Sequence, residues 1–149
     1  MKKNATCEVY TEIDIDAPAQ KVWDLLMDFK NMPKWNPIIR AIKGKPRVGG
    51  HLFVLFIFEG MGPSPLAVKV NVFEEGRELT WTGNVPHSKL LAGRHSFNVV
   101  PLGENSSRFI HTESFTGLLV PYVEKLLDVR LKPNYVAMNM ALKAESEKK

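Results

Sequence analysis

The sequence predicts an α+β fold, a seven-stranded antiparallel sheet curved around one long C-terminal helix, with two short helices between strands 1 and 2. Three observations predict it. Residues 7–15 alternate strictly, with Cys7, Val9, Thr11, Ile13 and Ile15 on one side and Glu8, Tyr10, Glu12 and Asp14 on the other, the period of a half-buried strand. Six further apolar runs follow residue 37, joined by short loops rich in turn formers. Such close spacing leaves no room for crossover helices, so neighbouring strands run antiparallel. After Gly117 the period lengthens to that of a helix and stays there.

The elements follow in order. Asp16-Ala17-Pro18 reads as a helix start, with Asp16 as cap and Pro18 near the first helical position. Val22, Leu25, Leu26 and Phe29 recur at helical spacing, so residues 17–27 form an amphipathic helix and 31–35 a second short turn. Strands are expected at 38–43, 51–59, 66–73, 78–84, 93–100 and 108–115. The stretch 60–65 (GMGPSP) should end one strand, and 101–107 should close a hairpin. In the final helix Leu119, Tyr122, Val123, Leu126, Leu127, Val129, Tyr135, Met138 and Leu142 supply the apolar positions. Pro121 is tolerated in the first turn, and Pro133 falls mid-helix, where a kink is expected.

With 149 residues, no repeat and no linker, residues 1–149 read as one domain. The single cysteine, Cys7, excludes an internal disulfide and reads as an inert core thiol. The net charge of +4 comes partly from Lys2, Lys3, Lys148 and Lys149, and the densest internal group, Lys43, Lys45 and Arg47, falls in a turn. No basic face interleaved with aromatics is evident, so nucleic acid is not an expected partner. Neither a signal peptide nor a stretch of roughly 20 apolar residues is visible, so a protein that is not membrane-integral, located in the cytoplasm, is the expectation.

Four stretches carry a resemblance: residues 13–23 (IDIDAPAQKVW), 29–38 (FKNMPKWNPI), 93–102 (GRHSFNVVPL) and 109–121 (FIHTESFTGLLVP). They resemble the polyketide cyclase/dehydrase-type members of the START-like (SRPBCC) superfamily, whose birch-pollen-allergen-like fold is called helix-grip. The resemblance covers nearly the whole chain. It implies a helix-grip fold and an internal cavity, in a superfamily that includes lipid carriers, cyclases and co-chaperone domains.

Threading the hairpins gives a register. If 101–107 closes a regular pair, Val99 lies opposite Phe109, Phe97 opposite His111 and His95 opposite Glu113. If residues 74–77 close the preceding pair, Val72 opposes Leu79 and Val70 opposes Trp81, and Trp81 neighbours Phe97. The inward face then collects Val68, Val70, Val72, Leu79, Trp81, His95, Phe97, Val99, Phe109, His111, Glu113 and Phe115. The outward face collects Thr80, Thr82, Ser96, Asn98, Thr112 and Ser114. On the preceding strand Phe53, Leu55 and Ile57 are expected to face in, leaving Val54, Phe56 and Phe58 as an outer stripe through which a homodimer could form.

The candidate ligand-binding residues are therefore Leu55, Val70, Trp81, His95, Phe97, Phe109, His111, Glu113, Phe115, Tyr122 and Leu126, around an apolar small molecule. His95, His111 and Glu113 are the only polar groups on the inward face. They read as a satisfied structural cluster, as a polar anchor for a ligand, or as catalytic acid and base, because a carboxylate beside an imidazole in an apolar site tunes proton affinity. Trp23 and Trp35 read as core or cavity rim. No nucleophile elbow, dinucleotide fingerprint, paired-cysteine or zinc-protease motif is present, and no cofactor is expected. Of His51, His87, His95 and His111, only His95 and His111 could converge with Glu113, and no metal site is expected. Three functions compete: binding of a hydrophobic or amphipathic small molecule of lipid, polyketide or isoprenoid type, cyclase/dehydratase-type catalysis by His95, His111 and Glu113, and a co-chaperone-like partner-binding module.

Overall fold

A computed structural model describes residues 6–84 and 89–149. Its elements are β1 (Thr6–Ile15), α1 (Ala19–Met27), a 3-10 turn (Met32–Lys34), β2 (Ile39–Lys43), β3 (His51–Phe58), β4 (Gly62–Glu74), β5 (Glu78–Asn84), β6 (Ala92–Gly103), β7 (Ser106–Thr116) and α2 (Val120–Ser146). The strands form one antiparallel sheet in the order β1-β7-β6-β5-β4-β3-β2, with α2 gripped against its concave face. Of the helix cues, Asp16 does not cap α1. Pro18 is the N-cap residue, its carbonyl taking the amides of Lys21 and Val22, while the Asp16 amide donates to Glu147 at the far end of α2.

The β6–β7 register is the threaded one: Val99 opposite Phe109, Phe97 opposite His111, His95 opposite Glu113. The hairpin is tighter than expected, since both strands run through most of 101–107. Between β5 and β6 the pairing is two residues from the threaded one, with Trp81 opposite His95 and Leu79 opposite Phe97. An even shift keeps every side chain on its expected face.

β3 departs from expectation. Leu52, Val54 and Phe56 are buried, whereas Phe53 and Ile57 are exposed and Leu55 shares their outward side. The outer aromatic stripe of Val54, Phe56 and Phe58 therefore does not exist, and with it goes the ground for a dimer through that face. The cause lies in β4, which starts at Gly62 and runs through Pro63 and Pro65, so that Leu52 pairs with Val68 and Phe56 with Ser64. These prolines are tolerated because β5 pairs with β4 from Lys69 onward, and among the described residues the first half of β4 has no strand partner on that side. A bulge between Val70 and Val72 then turns Val72 outward, opposite Thr80, and brings Phe73 in against Trp23.

α2 presents Leu127, Leu131, Asn134, Tyr135, Met138, Asn139 and Leu142 to the sheet. Tyr122, Leu126 and Val129 point to solvent instead. The helix continues through Pro133. The Asn134 side chain donates to the Arg130 carbonyl and brackets Glu59 by accepting from its amide and donating to its carbonyl, which ties the β3–β4 hairpin to the helix. Among the described residues no helix is long and apolar enough to cross a membrane.

Candidate ligand cavity and its polar floor

A cavity of about 280 Å³ lies between α2 and the sheet. Its apolar walls are Phe56, Phe58, Leu66, Val68, Trp81, Leu91, Phe115, Leu127 and Leu131, with Met61 and Pro63 among the lining residues of the β3–β4 hairpin. Gly83 and Gly93 face each other across β5 and β6 and both line it. Two inward positions without side chains leave the space open. Gly93 also makes room for the polar floor, because a Cβ there would collide with the Glu113 carboxyl at Oε2.

The polar floor consists of His95, Glu113 and Tyr135. Behind them His111, Asn139 and Thr11 continue inward from β7, α2 and β1. The direction of every proton in this chain follows from its innermost end. The His111 backbone carbonyl can only accept, so the Thr11 hydroxyl donates to it (2.7 Å). Thr11 Oγ1 must then accept from Asn139 Nδ2 (2.8 Å), which turns Asn139 Oδ1 toward His111 Nδ1 (2.8 Å). His111 therefore carries its proton on Nδ1 and offers a lone pair at Nε2. His95 donates Nε2–H into that lone pair across 2.6 Å. The unprotonated Nδ1 of His95 is left facing Glu113 Oε1 at 3.6 Å, beyond hydrogen-bond range. Tyr135 donates its hydroxyl to the same Oε1.

Both histidines are held neutral. His95 sits among Phe56, Trp81, Phe97, His111 and Tyr135 with ring centroids 4.8–5.8 Å away. Burial, and then the proximity of His111, push its proton affinity well below the ordinary imidazole range. Burial lowers His111 to about 4, partly opposed by the Asn139 bond. Glu113 moves the other way: burial raises it to about 7, partly countered by the Tyr135 hydroxyl. Tyr135 is raised far above its ordinary value, by burial and by Glu113, and remains a donor. Glu113 therefore does not draw His95 toward the charged state, because it is itself largely protonated below neutrality. In this group it is the carboxyl, not an imidazole, that exchanges a proton near pH 7. Its side chain is 14% exposed and reaches the cavity. With Tyr135 donating to Oε1, the acid proton resides on Oε2, over Gly93 and the cavity wall.

Of the residues named from sequence, Trp81, His95, Glu113 and Phe115 line the cavity. Val70, Phe97, Phe109 and His111 are buried behind that lining. Leu55, Tyr122 and Leu126 do not reach it: Leu55 lies on the outer side of β3 near Pro65, and Tyr122 is 84% and Leu126 49% exposed. Sequence reasoning missed Phe56, Phe58, Leu66, Leu91, Leu127, Leu131 and Tyr135 as binding residues. For the helix a signal was available: Asn134 and Asn139 flank the buried face, and a helix that anchors polar groups inward aligns Leu127, Leu131 and Tyr135 with them. Trp23 is fully buried at the α1 end, donating to Glu75 (3.0 Å), and Trp35 is half-buried against the core. Neither lines the cavity.

Among the described residues no three His, Cys, Asp or Glu side chains are grouped to hold a metal ion. The His111 Nε2 lone pair is engaged by His95, His51 is exposed at the start of β3, and His87 lies outside the described residues. Cys7 is half-buried, its thiol pushed up chiefly by burial, as suits an unreactive packing residue.

Among solved structures, norcoclaurine synthase from Thalictrum flavum superposes with a TM-score of 0.74 at 18% identity, over 98% of this chain and 97% of that one. The Zhui aromatase/cyclase from Streptomyces sp. R1128 gives 0.74 at 14% identity, over 96% and 94%. A START superfamily protein from Mycobacterium smegmatis gives 0.71 at 20% identity, over 94% and 97%. These likenesses establish the helix-grip fold. No curated protein matches the sequence. A family model described as polyketide cyclase/dehydrase and lipid transport matches residues 6–147, and the chain belongs to that family.

Proposed function

We propose that the protein binds a mainly apolar small molecule carrying at least one hydrogen-bonding heteroatom, in the cavity between α2 and β3–β7, with Glu113 as its polar contact. One observation carries this reading: an apolar cavity whose floor presents a carboxyl group near its protonation midpoint at neutral pH, on a support of neutral, fully oriented side chains. An acid in this state donates to a carbonyl or ether oxygen, or, ionised, accepts from a hydroxyl or amine. Membership of a family of cyclases, dehydrases and lipid transporters supports the ligand class.

A second reading is favoured by the same carboxyl. A group midway through its titration is suited to both giving and taking a proton, as dehydration or cyclisation of a polyketide-like chain requires. Aromatase/cyclase and norcoclaurine synthase chemistry among the structural neighbours supports it. Glu113 would then be the catalytic residue, with Tyr135 and the His95–His111–Asn139 chain positioning it.

Gly83→Leu tests the binding reading. A Cβ at Gly83 meets Val68 and Leu66 at ordinary contact distances (3.4 and 3.6 Å), so the rest of the leucine projects into the cavity. Affinity for an apolar fluorescent probe should fall at least about tenfold, the order expected when a binding site is filled. Unchanged affinity in a folded Gly83→Leu protein would place the probe elsewhere. Native mass spectrometry of protein purified from its own host identifies the occupant. If that occupant is recovered unaltered after incubation, the carrier reading holds. If it is converted, and Glu113→Gln abolishes conversion while retaining binding, the catalytic reading holds.

A further inference from the structure

The cavity reading does not use the solvent face of α2. Leu118, just ahead of the helix, and Tyr122, Leu126, Val129, Val136 and Met140 are exposed by 59, 84, 49, 66, 40 and 62%. They follow one another at intervals of three, four or seven residues, so all fall within an arc of about 80° along the helix. A helix of 27 residues extends about 40 Å, so the stripe runs over a large part of the molecule's length. Scattered exposed apolar residues need no explanation, but a continuous file along one helix marks a contact surface.

The charges bordering the stripe indicate what it meets. Lys125, Lys132 and Lys143 follow one edge, and Arg130 lies on the other. Lys143 is matched by Glu147, but among the described residues Lys125, Arg130 and Lys132 form no ion pair. The acidic residues of this half of the helix, Glu124 and Asp128, lie one step further round, in a groove that they share with Lys125 and Val129 and with Cys7, Glu8 and Val9 of β1, and they make no ion pair with Lys125 or Lys132. A second copy docked helix to helix would bring basic borders against basic borders. An apolar stripe edged with lysine and arginine that no ion pair holds among the described residues is instead the pattern of a helix lying on an anionic bilayer, apolar side chains among the acyl chains and cations at the headgroups. The stripe also adjoins the cavity's rim, since Arg130 abuts Gly60 at the tip of the β3–β4 hairpin, next to the lining residue Met61.

We propose that the outer face of α2 docks the protein on anionic membrane surfaces. The proposal stands apart from the identity of the cavity ligand. Cosedimentation with phosphatidylcholine vesicles, with and without about 30 mol % phosphatidylglycerol, tests it. Binding should be at least about tenfold stronger to the anionic vesicles and should weaken sharply in about 0.5 M salt. Tyr122→Asp combined with Val129→Asp, and separately Lys125→Glu combined with Lys132→Glu, should each reduce binding to the level seen with phosphatidylcholine alone. Phe53→Asp, on the exposed outer face of β3, should leave it unchanged. The lysine reversals introduce no charge into the stripe and keep the test decisive if the aspartate pair fails to fold. Absence of wild-type binding to either vesicle overturns the proposal, as does equal loss with Phe53→Asp. So does a wild-type dimer in sedimentation that the stripe variants dissociate without altering vesicle binding.

Discussion

The two ends of the grip are built from similar materials and differ in one respect. At the α1 end, Trp23, Leu26, Phe73, Val99 and Leu142 belong to the continuous packed core, and the indole of Trp23 finishes its hydrogen bonding at Glu75. At the opposite end the sheet offers Gly83 and Gly93 where side chains would otherwise meet α2, and a cavity opens over Glu113. The filled end contributes stability. The open end leaves packing unsatisfied around a carboxyl whose proton affinity is set by that lack of solvent. Missing side chains make the site as much as present ones do.

The largest effect should come from breaking the filled end. Trp23→Ala should cost about 3–5 kcal/mol in denaturant unfolding while leaving probe affinity in the folded protein unchanged. Loss of probe binding at full folding would mean that the two ends are not independent. Next comes the support of the open end. Asn139→Leu leaves the His111 Nδ1–H and Thr11 Oγ1 without their buried partner and should cost about 2–4 kcal/mol. It should also free His111 to change tautomer, detectable as altered imidazole nitrogen shifts. Unaltered shifts would contradict the directional chain.

The pH dependence separates the groups by sign. Folding raises Glu113 from 4.5 to about 7, so between these values the folded state keeps a proton the unfolded chain has released, and stability falls as pH rises through that window. His111 goes from 6.5 to about 4, and His95 is lowered as well. There the unfolded chain holds the extra protons, and stability rises with pH from about 4 to 6.5. The two trends oppose one another in the wild type. Glu113→Gln removes only the first, so the variant should gain on the wild type by up to about 3 kcal/mol between pH 4.5 and pH 8. A constant difference across that range would mean that Glu113 is not perturbed. The smallest effect is expected at Tyr122→Ala, within about 0.5 kcal/mol, because the ring is 84% exposed.

What could be read from the sequence divides along the same physical lines. The β6–β7 pairing was legible because His95, Phe97, Val99, Phe109, His111 and Glu113 alternate with small polar residues, and the hairpin closing them permits one register. β3 was not, because His51–Phe58 is apolar on both faces and its phase depends on β4, whose Pro63 and Pro65 disguise a strand as a loop. α2 has the same ambiguity in helical form. Leu127, Leu131 and Met138 on one face and Leu126, Val129 and Met140 on the other give the period of a helix without saying which face is buried. His95 and Glu113 were identified as neighbours, but Tyr135 and Asn139, which orient them, come from an element whose rotation the pattern left undetermined.

Glu113, and neither histidine, exchanges a proton in the cavity near neutral pH. Carbon-13 NMR titration of the glutamate carboxyls, with the Glu113 resonance assigned by its loss in Glu113→Gln, measures this directly. A midpoint at about 7 is expected, well above the ordinary carboxylate range, while His111 takes up a proton only at about 4 and His95 stays neutral well below the ordinary imidazole range. A Glu113 midpoint in the ordinary carboxylate range, with either histidine titrating between pH 6 and 7, would contradict it.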